Sequence, residues 1–268
     1  MDASAVKTQR LLREDEPTPC TVYNPQGKAD LLLLCDHAEN FIPQSLDSLG
    51  LTPEQLERHI AYDIGIAPVT RQLAEALDAP AVFSHFSRLI VDPNRQLDDP
   101  TLIPAVSDGT VVPGNRDLDA AAVESRLETF HRPYHATVAR QLDAMQAEGR
   151  TPVLVSMHSF TPVMRGRERP WEIGILWNVD ARLPLPMMEA FRERGYCVGD
   201  NEPYSGRDGH GYTSHVHGDG RGLANALVEL RQDLIDTRRG QKTWAQEMLA
   251  AMRHVLQDPA LYRTYSGG

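Results

Sequence analysis

Four short runs of almost unbroken apolar residues constrain this chain more than any other feature: 31–35 (LLLLC), 151–157 (TPVLVSM), 171–177 (WEIGILW) and 226–230 (ALVEL). Each is too short for a buried helix and lacks the polar alternation of a half-exposed strand. Each therefore reads as a strand covered on both faces. Helical segments lie between them. Thr52-Pro53-Glu54-Gln55 combines an N-cap, a proline at the first position and a glutamine three residues after the cap. Residues 66–77, 118–148, 186–193 and 242–256 then carry apolar side chains at helical spacing. This alternation predicts an α/β fold in three layers, with a mostly parallel or mixed central sheet and helices on both faces. Residues 81–91 (AVFSHFSRLIV) read as a strand pair or a bent strand. Residues 96–115 and 198–222, rich in proline or glycine, read as long functional loops. Residues 1–28, with prolines at 17, 19 and 25, read as an irregular N-terminal segment, and 29–268 as one domain.

The same runs argue against a membrane partner. No uninterrupted apolar stretch exceeds the five residues of Leu31–Cys35, whereas a span needs about 20. The first 17 residues are charged throughout and carry no apolar h-region, so a cytoplasmic protein is expected. Cys20, Cys35 and Cys197 are odd in number and lack CxxC spacing, which argues against a disulfide framework or a thiolate zinc site. The formal net charge of -10 argues against a nucleic-acid surface but leaves room for a locally basic pocket that takes a small anionic molecule.

Two of the apolar runs end in a histidine, as Cys35-Asp36-His37 and Ser156-Met157-His158-Ser159. Neutral imidazole is the commonest protein ligand for zinc, and a strand end holds it rigidly. Asp63, in Ala61-Tyr62-Asp63-Ile64-Gly65, offers a carboxylate. Asp36 does not easily join His37 on one ion, because neighbouring strand residues face opposite ways. Periodicity alone leaves equally open that each histidine is a hydrogen-bonded residue at a strand edge. Arg88 and Arg95 flank Asp92-Pro93-Asn94. Guanidinium groups there either grip a carboxylate in bidentate fashion and stabilise an oxyanion, or form solvated ion pairs. Glu229 lies among Leu227, Val228 and Leu230 and is either paired with Arg231 or a base with a raised pKa.

Six motifs bear a resemblance. They are Cys35-Asp36-His37-Ala38-Glu39-Asn40 with Ile42-Pro43, Ala61-Tyr62-Asp63-Ile64-Gly65, Ser87-Arg88 with Asp92-Pro93-Asn94-Arg95, His131-Arg132-Pro133-Tyr134-His135, His158-Ser159-Phe160, and Glu229-Leu230-Arg231-Gln232-Asp233. In this order, over about residues 30–256, they resemble the N-formylglutamate amidohydrolase family, which is similar in fold to zinc carboxypeptidases and aspartoacylases. The resemblance implies a metal-dependent amidohydrolase that cleaves an N-acyl acidic amino acid, N-formyl-L-glutamate to formate and L-glutamate. It implies Zn2+ or another divalent ion on His37 and His158, Arg88 as carbonyl polariser, Asn94 and Arg95 as carboxylate clamp, and Glu229 as general base. Tyr204 is a substrate-binding donor by analogy with carboxypeptidases. One departure stands out: the H-x-x-E pattern would require an acid where Asn40 stands. Asp63 is therefore taken as the third ligand, with Asp36, Glu39 and Asn40 as alternatives.

The other histidines are assigned structural roles first. His131 and His135, one helical turn apart, are expected to cap and pack the 118–148 helix rather than form a second metal pair. Whether any of His210, His215 and His217 lines or gates the pocket is left open between that role and a structural one. Three rivals to the main reading are another N-acyl amino acid or small amide as substrate, a metal-free serine hydrolase using Ser159, and an inactive carboxylate-binding relative. No G-x-S-x-G elbow surrounds Ser159, which weakens the second.

Overall fold

The computed structural model describes residues 9–265. In chain order the strands are β1 (Cys20–Tyr23), β2 (Leu31–Cys35), β3 (Ala81–Ser84), the small pair β4 (Val106–Ser107) and β5 (Thr110–Val111), β6 (Val153–Phe160), a second small pair β7 (Val163–Met164) and β8 (Arg167–Glu168), then β9 (Ile173–Leu176), β10 (Val198–Asp200) and β11 (Asn225–Arg231). The helices are α1 (Pro53–Leu56), α2 (Ile66–Leu77), α3 (Ala120–Arg126), α4 (Arg132–Ala147), α5 (Pro184–Glu193), α6 (Tyr212–His217) and α7 (Arg238–Val255). Seven strands form one mixed sheet in the order β1-β3-β2-β6-β11-β9-β10. β3, β2, β6 and β11 run parallel, β1 is antiparallel to β3, and β9 is antiparallel to β11.

Side-chain alternation along the strands builds the three layers. In β2, Leu31, Leu33 and Cys35 join the core under α2, α5 and α7, while Leu32 and Leu34 join the core under α4. All five are fully or almost fully buried, and each leucine contributes about 1.5–3 kcal/mol of hydrophobic stabilisation before entropy is counted. A third core lies beyond the sheet edge and contains Phe86, Leu89, Ile90, Val91 and Phe130. That location corrects the reading of residues 81–91: only Ala81–Ser84 is strand, and the remaining apolar residues are apolar because a loop is buried.

Further boundaries differ from expectation. Residues 20–23, expected to be irregular, pair with β3 as an edge strand. Leu11 is buried in the third core, and residues 1–8 of that irregular segment lie outside the described residues. The 118–148 helix is split by a π-helical turn at Leu127–His131, with Asp119 as N-cap. The glycine-rich 198–222 stretch is not all loop; it contains β10 and α6. Thr52 and Gln55 do form the expected capping box.

The C-terminal ends of β2, β6 and β11 lie side by side, the place where open α/β sheets put their ligands. Gly65 controls the approach to this edge. It has φ +80°, and a Cβ there would sit 2.1 Å from the Ile235 carbonyl oxygen, just past the end of β11. Only glycine fits both the backbone angle and the contact.

Candidate active site

His37 stands two residues past β2, and its carbonyl accepts from the Asp63 N–H at 3.0 Å, which draws residue 63 over the sheet edge. His158 lies within β6, and the parallel register sets Glu229 of β11 directly beside it. Both therefore project from the same face of the sheet. One donor atom from each of His37, Asp63 and His158 lies within 4.8 Å of the others, and all three residues are buried.

The Asp63 Oδ2 atom is 2.9 Å from His158 Nδ1 and 3.4 Å from His37 Nδ1. The opposite ring nitrogens are engaged by other carboxylates: His158 Nε2 by Asp36 at 2.8 Å, and His37 Nε2 by Asp92 at 2.7 Å. With an ion bound, a proton on each Nε2 would leave both Nδ1 lone pairs free to face it beside Asp63. Two imidazoles and one carboxylate converging on a point, each imidazole backed by an acid, fit a divalent ion such as zinc. Asp36 also accepts from Ser156 and from the Tyr134 hydroxyl of α4. It thus sits behind His158 rather than among the converging donors. Glu39 bonds His85, and Asn40 bonds the Leu56 carbonyl and Glu57, so neither reaches the triad.

The charges are balanced by contact. Burial is the largest single influence on Asp36 and opposes its ionisation, yet His158, His37 and the Tyr134 hydroxyl together outweigh it and lower the pKa to about 2. Asp63 and Asp92 are held low in the same way against their burial, by the histidines and, for Asp92, by Arg88 first. Burial of His158 is overcome by the two carboxylates, which raise it to about 10. Glu229 goes the other way. Burial pushes it up to about 7, against the pull of His158. Its Oε2 is buried with no hydrogen-bond partner among the described residues. The alternative pairing with Arg231 does not occur, because that guanidinium binds Asp233 at 2.8 Å and the carbonyls of residues 169–171.

A cavity of about 120 Å3 opens over these groups and is also lined by Arg88, Asn94, Arg95 and Tyr204. Arg88 donates to Asp92 at 2.6 Å and lies 3.5 Å from Asp63. The Asn94 side-chain oxygen accepts from the Thr213 N–H at 3.1 Å, which leaves its amide hydrogens as the groups available to a ligand. Tyr204 stacks on His210 and accepts a hydrogen bond from Arg169. Gly174, opposite Glu229 in β9, lets the Glu202 carbonyl come within 2.0 Å of where a Cβ would be, which lowers the Tyr204 loop onto the cavity.

The structure thus brings all eight expected site residues to one place. Ser159 is used differently: its hydroxyl donates to the Ile64 carbonyl at 3.0 Å, not to His158. Of the glycine-rich loop's histidines, His210 lines the cavity, His215 is exposed, and His217 bonds His135 at 2.9 Å. Sequence reasoning missed Asp92 as the partner of both His37 and Arg88, and missed His59 and Gln232 in the cavity wall. The sequence does carry a signal for Asp92, since an acid between two arginines is a candidate for holding one of them.

Residues 29–236 match the model of the N-formylglutamate amidohydrolase family. The chain belongs to this family. Over 144 residues it is 29% identical to the N-formylglutamate deformylase of Pseudomonas aeruginosa, a match covering 50% of this chain and 53% of that one. The chain thus spans about half the length of that curated relative. A crystal structure of a gene product from Agrobacterium tumefaciens superposes with TM-score 0.90 at 38% identity, covering 92% of this chain and 98% of the other. The N-formylglutamate amidohydrolase from Ralstonia eutropha JMP134 superposes with TM-score 0.71 at 21% identity, covering 89% and 97%, a likeness of fold. The span of this N-formylglutamate amidohydrolase family member that matches the family includes His37, Asp63, His158 and Glu229. No described helix is long and apolar enough to cross a membrane.

Proposed function

We propose that this protein is a metal-dependent amidohydrolase that converts N-formyl-L-glutamate and water to formate and L-glutamate. The observation that carries the reading is the Glu229 carboxylate, buried without a partner in the same cavity as the His37–Asp63–His158 triad. A carboxylate with a pKa near 7 is matched to taking and returning a proton at neutral pH. His37, Asp63 and His158 would hold the ion, zinc by donor preference. When bound, it supplies Lewis acidity, acidifying water and polarising an acyl oxygen.

The chain's own residues do the rest. Glu229 takes a proton from the attacking water as its oxygen bonds the formyl carbon. Arg88, anchored by Asp92, faces the negative charge that develops on the carbonyl oxygen. As the C–N bond breaks, Glu229 gives the proton to the leaving nitrogen. Asn94 and Arg95 hold the substrate α-carboxylate and so fix the amide over the base. Tyr204 supplies a further donor from the cavity roof. The reaction is taken to be cytoplasmic, with a small molecule as its substrate.

Metal content after purification, measured together with formate release from a panel of N-formyl amino acids, tests the reading. It expects about one divalent ion per chain and preference for the glutamate derivative. A metal-free preparation that stays active, or one that releases no formate with metal bound, would defeat it.

A further inference from the structure

Three histidines outside the triad form a chain of contacts that ends on the backbone of the Asn94–Arg95 segment. His131 closes the π-helical turn that leads into α4 and His135 lies in the first turn of α4, next to an irregularity often found near functional sites. Their rings lie 4.5 Å apart. His135 Nε2 is 2.8 Å from the Pro93 carbonyl oxygen, and His131 Nε2 is 3.2 Å from that of Arg95. Carbonyls only accept, so each Nε2 carries the hydrogen and donates it. The Nδ1 of neutral His135 is then an acceptor, and it faces His217 Nε2 at 2.9 Å, so His217 donates. Donation thus runs one way, from His217 of α6 to His135 of α4 to Pro93. The same α6 sends the Thr213 N–H to the Asn94 side chain and the Thr213 hydroxyl to the Pro93 carbonyl.

We infer that His135, oriented by His217, is a positioning residue that sets the Asn94–Arg95 clamp for a substrate carboxylate. The inference rests on the clamp reading given above. Pro93 has no N–H and cannot be tethered as a donor, so its carbonyl is the only main-chain handle at that residue. Two helices hold that handle, and His135–His217 pins the two helices to each other. The Arg95 carbonyl, gripped by His131, fixes the next peptide but one. The clamp is therefore held from behind by neutral imidazoles that do not compete for the substrate's negative charge. The expectation that these histidines merely pack their helix is too weak, because both of their donors leave the helix for the loop.

The experiment uses the full chain with its metal and reads steady-state kinetics on N-formyl-L-glutamate, the same substrate as its α-carboxamide, and calorimetric binding of L-glutamate. His135→Leu is expected to raise KM about 10- to 100-fold with kcat within about 3-fold, because the clamp holds substrate and transition state alike. L-Glutamate binding should weaken by a similar factor, metal content should be unchanged, and kcat/KM on the carboxamide should stay as in the parent. His135→Gln, which keeps a donor at a comparable reach, should recover most of the loss. A folded His135→Leu with unchanged KM and product affinity overturns the inference, as does an equal loss on the carboxamide. Should His135→Leu fail to fold, a folded His217→Leu with wild-type KM overturns it instead. A parent protein that neither cleaves N-formyl-L-glutamate nor binds L-glutamate fails the functional reading itself, and the inference with it.

Discussion

The two faces of the sheet are built from the same strands and do opposite work. On the side of α2, α5 and α7, Val153, Val155 and Met157 of β6 and Ala226, Val228 and Leu230 of β11 enter an apolar core. On the side of α4 and α6, the residues between them include Ser156 and His158 of β6 and Glu229 of β11, and Asp36 lies just past β2. A displacement of one residue along the chain moves a side chain from the apolar core to the candidate site. The polar face is nearly as buried as the apolar one, so its groups must satisfy each other. Glu229 Oε2 is the exception among the cavity's described carboxylates, and that unused acceptor marks where a substrate-side partner is expected.

The largest effect expected from breaking this division is at Glu229. Glu229→Gln should cut kcat about 10²–10⁴-fold, roughly 3–5 kcal/mol, with metal content kept. Its melting temperature should not fall, since burial already disfavours the charge there. A destabilised but active variant would move Glu229 to the structural side of the comparison. Met157→Ala, one residue from His158 but facing the other way, should do the reverse. It should lose about 2–5 kcal/mol in denaturant unfolding, with kcat of the folded fraction little changed. A large kcat loss would mean that the two faces are mechanically coupled.

These neighbours also show what the sequence makes legible. Apolar runs reveal β2, β6, β9 and β11, because burial on both faces leaves a compositional mark. His37 and His158 are visible because they interrupt such runs. Asp92 has no role in the sequence reading beyond standing beside the Asn94–Arg95 clamp, whereas its carboxylate joins His37 to Arg88 across a loop that no periodicity describes. The α6 helix is hidden because its six residues, Tyr212–His217, sit among glycines and are too few to show a helical repeat. Both depend on loops meeting in space, and local sequence does not encode that meeting.

Smaller effects sharpen the comparison. Asp36→Asn removes the charge that backs His158 and should weaken metal affinity about 10- to 100-fold, read by competition with a chelator. Unchanged affinity would show that His158 needs no such support. The smallest effect is a pH slope. Burial first, then neighbouring positive charge, lowers His135 and His217 to about 4 in the folded protein, against about 6.5 unfolded. Between those values the unfolded chain binds more protons, so their contribution is intact above pH 6.5 and declines as pH falls toward 4. Melting temperatures of metal-loaded His217→Gln should therefore fall less between pH 6.5 and 4.5 than those of the parent. Parallel curves would place the acid sensitivity elsewhere.

Gly65 bears on how such a protein can change over generations. The position admits no side chain, because the Ile235 carbonyl already occupies the space. The distance between the segment bearing Asp63 and the strand bearing Glu229 is therefore set by backbone meeting backbone. Ordinary substitution has no graded adjustment to make at that contact. Descendants of this chain can vary the loops that frame the cavity, and so what enters it, while the spacing beneath is inherited unaltered or lost.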